Sequence, residues 1–241
     1  LVFALMIGVL MYGASTVNNV SESEKMAELE DSVRRASILC YAVEGRYPDD
    51  AELFGTKDPD IEDAAKRAYL DLCRTIYNTK EDSRNNAKDE VIKLILSQTE
   101  ELEICDNICF DKFHETLCDE IIQIYKRYNI EFYYGQAQKW INMTMKYLCV
   151  IGEERYPWLN RLYPFLHIPI DSVILGKIIG DFEIKSVAVK GKRVLLKNLS
   201  WSRIDKDTYD AIQNVLREKI GENEIPIVWE FKAWNNPKEN E

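Results

Sequence analysis

Residues 135–151 read GQAQKWINMTMKYLCVI, and this stretch decides the fold. Its apolar residues recur with the period of a helix. Lys139, Asn142 and Lys146 interrupt them on one face, and Trp140 stands beside Lys139. A lysine on an amphipathic helix ordinarily lays its stem along apolar surface and keeps its amine in water. An amine held away from water loses its proton more readily and becomes a candidate nucleophile. Further along the chain, after PFLHIP, stands Asp171 at the opening of the apolar run IDSVIL. That is an N-terminal helix position, where the macrodipole favours a carboxylate. It is also the position of a simple helix cap.

Outward from this stretch the same period predicts helices over 60–78, 86–102, 110–128, 155–163, 170–179 and 206–220, the last opened by Asp205 as N-cap. A final apolar segment covers 225–234. The stretch 182–197 differs. Two β-rich runs flank Lys190-Gly191 there, the signature of a tight hairpin. The expected fold is therefore mainly α: a multi-helix domain with one small β-hairpin.

The chain has 241 residues, 46% of them apolar and 30% charged, enough for a core and too apolar for wholesale disorder. Lys and Arg number 31 against 41 Asp and Glu, so no general basic coat drives the protein onto nucleic acid or anionic lipid. The acid excess lies in the first 130 residues, and the remainder is nearly balanced. A phosphate-facing surface is thus expected only in the last part. Lys190, Lys192, Arg193, Lys197 and Arg203 crowd the hairpin and its exit. They read equally as phosphate ligands or as a solvated edge that resists strand pairing.

The first residues, LVFALMIGVLMYGA and onward, meet no charge before Glu22. As a helix they span about 31 Å, one hydrocarbon core. A transmembrane or signal anchor is expected over 1–21. Ser21 and Glu24 form a capping box for a following amphipathic helix, with Met26, Leu29, Val33, Ala36 and Cys40 in helical register. This stalk and its linker occupy 22–50, ending at Pro48, and the body occupies 51–241.

Several chemistries are excluded by motif. There is no GxxxxGK[ST], no GxGxxG after a strand, no HExxH and no GxSxG. The chain holds two histidines, so a Ser–His–Asp triad would need His167 as its base. Cys105, Cys109 and Cys118 lack the paired spacing of a zinc site, and the six cysteines read as thiols on helices. No metal and no cofactor is expected.

Two resemblances sharpen this reading. The stalk ending CYAVEGRYP resembles the N-terminal part of pilin-like membrane proteins of Gram-positive bacteria. QKWINMTMKYL, YPFLHIPIDSVIL and IPIVWEFKAW together resemble the archaeal branch of 8-oxoguanine DNA glycosylases, in the helix-hairpin-helix superfamily. The resemblance implies a glycosylase/lyase on duplex DNA, with Lys139 as Schiff-base nucleophile and Asp171 as acid/base. It implies Glu230, Trp234 and Gln138 as the residues that read a flipped base. The superfamily's glycine-rich LPGVG hairpin is absent, with only Gly135 before the lysine helix, and the pocket acid is Glu rather than Asp. A catalytic body acting on DNA is expected to face the cytoplasm, with membrane contact through 1–21. Two other classes stay open: a non-catalytic helical module binding nucleic acid or protein, and a membrane-anchored interaction protein.

Overall fold

A single helix, α5 (Tyr134–Ile151), runs through the centre of the body, and every residue from Tyr134 to Cys149 on it is buried. A helix sheltered all round needs neighbours on all sides. The computed structural model describes residues 49–104, 109–152, 154–221 and 224–235. The expected anchor over 1–21, nearly all of the stalk, Cys40 and Cys105 lie outside them. Among the described residues, no helix is long and apolar enough to cross a membrane.

Before α5 come α1 (Asp50–Phe54), α2 (Ile61–Leu70), α3 (Glu81–Ile104) and α4 (Phe110–Arg127). After it come α6 (Ser172–Asp181), strands β1 (Ser186–Val189) and β2 (Lys192–Leu195), α7 (Lys206–Ile220) and α8 (Pro226–Asn235). The fold is mainly α with one two-stranded antiparallel hairpin.

Helix α2 is the closest neighbour of α5. Asp60 caps it, accepting the Asp63 N–H while Asp63 reaches back to the Asp60 N–H. Ala64, Ala65 and Ala68 are small enough to let α5 approach, and Trp140 fills the contact. The Trp140 indole N–H donates to the Ala65 carbonyl at 2.9 Å, and its ring lies 4.9 Å from that of Tyr69. The segment around 50–60, which reads as a linker, holds α1, and Phe54 meets the Tyr147 ring of α5 edge-on at 5.8 Å.

Two expected helices are shorter or absent. The helix predicted over 60–78 ends at Leu70, followed by a 3-10 turn at Cys73–Thr75. Gln136 of α5 takes the chain there, its amide donating to the Thr75 carbonyl and hydroxyl at 3.0 and 2.9 Å. The helix predicted over 155–163 is instead two 3-10 turns, Pro157–Leu159 and Tyr163–Phe165. Pro157 opens the first turn and Pro164 is the second residue of the other, and a proline, lacking an N–H, kinks or breaks a continuous helix.

The hairpin matches its turn chemistry. Lys190 and Gly191 both take positive φ, 48° and 76°, as a two-residue type I′ turn requires. Val187 of β1 is buried against the body, and the cations of the hairpin point to water. Asp205 caps α7 as expected, accepting the Thr208 N–H at 2.9 Å.

Candidate active site

The polar face of α5 does not reach water. Gly135 begins it, where the helix crosses the turn at Trp201–Arg203 and donates its N–H to the Ile204 carbonyl at 3.0 Å. A Cβ at this position would collide with the Trp201 carbonyl oxygen and lie 2.9 Å from the Ser202 carbonyl carbon. Only glycine permits this crossing, and the crossing fixes the rotation of α5 and the direction of Lys139.

Lys139 meets Asp171. Its Nζ lies 2.6 Å from Asp171 Oδ2, and the two residues are 4% and 7% exposed. Asp171 caps a helix and meets Lys139 at the same time. Its Oδ1 accepts the Ile174 N–H at 3.0 Å to cap α6, leaving Oδ2 for the lysine.

What brings Asp171 to this place is an extended segment, 166–170, whose peptide groups are served by side chains. Gln138 of α5 brackets Ile170: its oxygen accepts the Ile170 N–H at 3.1 Å and its amide donates to the Ile170 carbonyl at 2.8 Å. Gln213 of α7 brackets Ile168 in the same manner, at 3.3 and 2.6 Å. Two carboxamides thus stand where neighbouring strands would otherwise satisfy buried backbone. Gln138, a residue the resemblance assigns to base reading, is wholly buried and also donates to the Gly135 carbonyl at 2.9 Å. In this arrangement it holds the backbone that carries Asp171.

Seven residues after Lys139, Lys146 makes a second buried pair with Glu230 of α8. The ammonium lies 3.0 Å from one Glu230 oxygen and 2.8 Å from the other, with the residues 2% and 0% exposed. Lys146 Nζ also stands 4.6 Å from the Phe231 ring centre and 5.7 Å from that of Trp234, which is 42% exposed. Burial pushes the Glu230 carboxyl up from its ordinary value, and the charge of Lys146 opposes this. Lys139 and Asp171 also act on Glu230, in opposite directions, so the two pairs form one electrostatic cluster between α5, α6 and α8. Lys146 is the member that residue types alone did not mark for a role, although its spacing from Lys139 put it on the same face.

The hairpin cations are exposed and partly engaged. Lys190 pairs with Asp207, Arg193 Nε donates to the Ser186 hydroxyl at 2.9 Å, and Arg203 lies over the Tyr133 ring at 5.4 Å. Lys192 and Lys197 are exposed as well. Cys118 and Cys149 are buried thiols, Cys73 is half-buried and Cys109 is exposed. Among the described residues, no group of three His, Cys, Asp or Glu side chains is placed to hold a metal ion.

The buried cluster can do specific chemistry. A carboxylate in hydrogen-bond contact with an amine can take its proton, leave a neutral nucleophile, and steady positive charge that develops beside it. No family model matches the chain, and no curated protein and no solved structure matches it either.

Proposed function

We propose that the chain is a DNA base-excision glycosylase/lyase that works through a lysine Schiff base. The observation that carries this reading is the 2.6 Å contact between Lys139 Nζ and Asp171 Oδ2 in a sheltered site. In the proposed reaction Asp171 takes a proton from Lys139. The neutral amine attacks the sugar C1′ as the bond from C1′ to the damaged base breaks, and the base leaves with the electron pair and acquires a proton. Asp171 faces the oxocarbenium-like charge of that step. The sugar ring then opens to an iminium between C1′ and Nζ. Loss of the C2′ proton expels the 3′ phosphate by β-elimination, and water releases the lysine.

Around this step the other residues take supporting parts. Trp234, partly exposed and beside Lys146, offers a face for an extruded base, and Glu230 with Lys146 offers acceptor and donor to its edge. An oxidised purine suits such a pair. Val173 on α6, two residues after Asp171, is exposed too. Lys190, Lys192, Arg193, Lys197 and Arg203 would meet phosphates, contacts that weaken with salt.

The burial of all four charges favours a second reading, in which both ion pairs are internal fastenings of a non-catalytic nucleic-acid-binding module. Borohydride trapping on duplex DNA with an oxidised purine decides between them. The enzyme is expected to cross-link, Lys139→Gln to lose cross-linking while keeping its fold and weak DNA binding, and Asp171→Asn to slow excision about 10²–10⁴-fold. Wild-type protein that neither traps nor excises on damaged or mismatched duplexes refutes the enzyme reading.

A further inference from the structure

The segment that presents Asp171 is anchored at its other end by His167, a buried histidine with a different partner on each ring nitrogen. Nε2 lies 2.6 Å from Asp111 Oδ1 on α4, and Nδ1 lies 2.8 Å from the Tyr209 hydroxyl on α7. A carboxylate only accepts, so Nε2 carries the proton and Nδ1 accepts from Tyr209. Asp111 is in turn held by both terminal nitrogens of Arg217 on α7, at 3.2 and 2.7 Å.

The Tyr209 oxygen accepts an N–H of Asn142 at 2.8 Å, and the same amide group donates to the Gln138 oxygen at 3.1 Å. Gln138 brackets the peptide of Ile170, the residue before Asp171. A set of short contacts therefore runs from Asp111 through His167, Tyr209, Asn142 and Gln138 to the Ile170 peptide, and the chain itself carries it on to Asp171, which meets Lys139. One member has two arrangements. With His167 neutral, the Tyr209 hydroxyl hydrogen points to Nδ1 and its oxygen serves Asn142. With a second proton on Nδ1, His167 becomes the donor. The hydroxyl hydrogen must then turn away, towards His114 Nε2 at 3.4 Å, and the ring N–H competes with Asn142 for the oxygen.

We propose that His167 is a positioning residue for the Lys139–Asp171 pair, and that its protonation at Nδ1 uncouples Asp171 from Lys139 through Tyr209, Asn142 and Gln138. For its activity readout this rests on the lyase reading above. The groups that bear on His167 are Asp111 and His114 from α4, and Tyr209, Asp210 and Arg217 from α7. Asp111 and Asp210 favour the added proton, while Arg217 and burial oppose it, burial most strongly.

The test uses the full chain and a duplex oligonucleotide with one abasic site, quenched with borohydride at intervals from pH 5 to 8. Lys139→Gln serves as the blank. With His167 acting as proposed, the wild-type rate falls at the acid end more steeply than that of a variant with no ring proton to gain, by up to about tenfold more per pH unit. His167→Asn keeps an oxygen for Tyr209 and gains no proton. It should show the shallow profile, at a rate within about tenfold of wild type at pH 7.5, whereas His167→Phe, with no acceptor, should lose about 100-fold. His167→Gln stands in where His167→Asn does not fold. Superimposable profiles for wild type and His167→Asn overturn the proposal. A wild type that traps nothing refutes the lyase reading instead, and carboxyl ¹³C shifts then decide the fate of His167. The Asp171 signal, assigned with Asp171→Asn, should show an inflection coincident with the His167 ring that His167→Asn removes. Its absence in wild type overturns the proposal.

Discussion

Replacing Lys146 by Met tests the buried cluster without touching Lys139 or Asp171. Methionine keeps the length and most of the volume of the stem, so packing against Phe231 survives and the ammonium alone is lost. Glu230, fully buried, then loses the ammonium that lies against both of its oxygens. Breaking a buried pair on one side costs about 3–5 kcal/mol, because the remaining charge stays desolvated. Against a domain stability of about 5–15 kcal/mol this is a large loss. Its pH dependence carries the sign. Burial already raises the folded-state value of Glu230 above its ordinary 4.5, and removing the opposing Lys146 charge raises it further. A carboxyl with a raised folded value contributes stability that is fully present below 4.5 and is lost as pH rises through the folded value. Relative to wild type at each pH, Lys146→Met should therefore be least stable near pH 8. It should recover as pH falls, by at most about 1.4 kcal/mol for each unit within that window. Urea denaturation followed by circular dichroism at pH 5, 6.5 and 8 measures this. The double variant Lys146→Met/Glu230→Leu should lie within about 2 kcal/mol of wild type, or above it, at every pH. A single-variant cost under about 1 kcal/mol at pH 8, or a cost equal at pH 5 and 8, refutes the reasoning.

Gly135→Ala should destabilise by about 3 kcal/mol or more, since the added methyl meets backbone of the 201–203 turn rather than a movable side chain, and the melting temperature reads this directly. Acid should weaken the wild-type fold below neutrality. Burial holds His114 well below its ordinary 6.5 and His167 below it as well, so their stabilisation is present above 6.5 and is lost as pH falls through their folded values. Each histidine that stays neutral accounts for about 1 kcal/mol between pH 7 and 5.5 in chemical denaturation, and a flat profile over that range counts against their buried neutral state. Asp111, held low by His167 and Arg217, adds a further loss below 3.8.

What could be read in the sequence was local chemistry. Lys190-Gly191 announced its hairpin because a two-residue I′ turn demands positive φ at both positions. Asp205 and Asp171 announced helix starts because a cap needs only the next turn of its own helix. The prolines at 157 and 164 carried a signal that the apolar period around Trp158, Leu159 and Leu162 outweighed, and the chain followed the prolines. Apart from Lys139 and Asp171, which a resemblance had placed in one site, long-range polar pairing was not legible. Asp111, His167 and Tyr209 come from three elements 56 and 42 residues apart, and no spacing rule joins them. Nor does residue type say that Gln138 spends its amide on the Ile170 backbone, because the need arises only once segment 166–170 lies buried without a neighbouring strand.

The same consideration bears on why α5 carries charge at all. A helix buried from Tyr134 to Cys149 gains from apolar residues at every position, and the two charges on it, Lys139 and Lys146, break that rule on one face. Stability gives a weak account of them, since buried ion pairs exchanged for well-packed apolar residues are often neutral or stabilising. Fold specificity gives a better account of Lys146 than of Lys139. Glu230 sits in the middle of α8, so its pair with Lys146 fixes how that helix docks. Asp171 is already fixed by its cap to Ile174 and by the Gln138 bracket on Ile170, and it needs no ammonium to hold its place. The Lys139 amine is thus the charge in the cluster with least structural work to do. The proposed reaction is therefore to be sought at Lys139 first, with Lys146 and Glu230 as one wall of that proposed site.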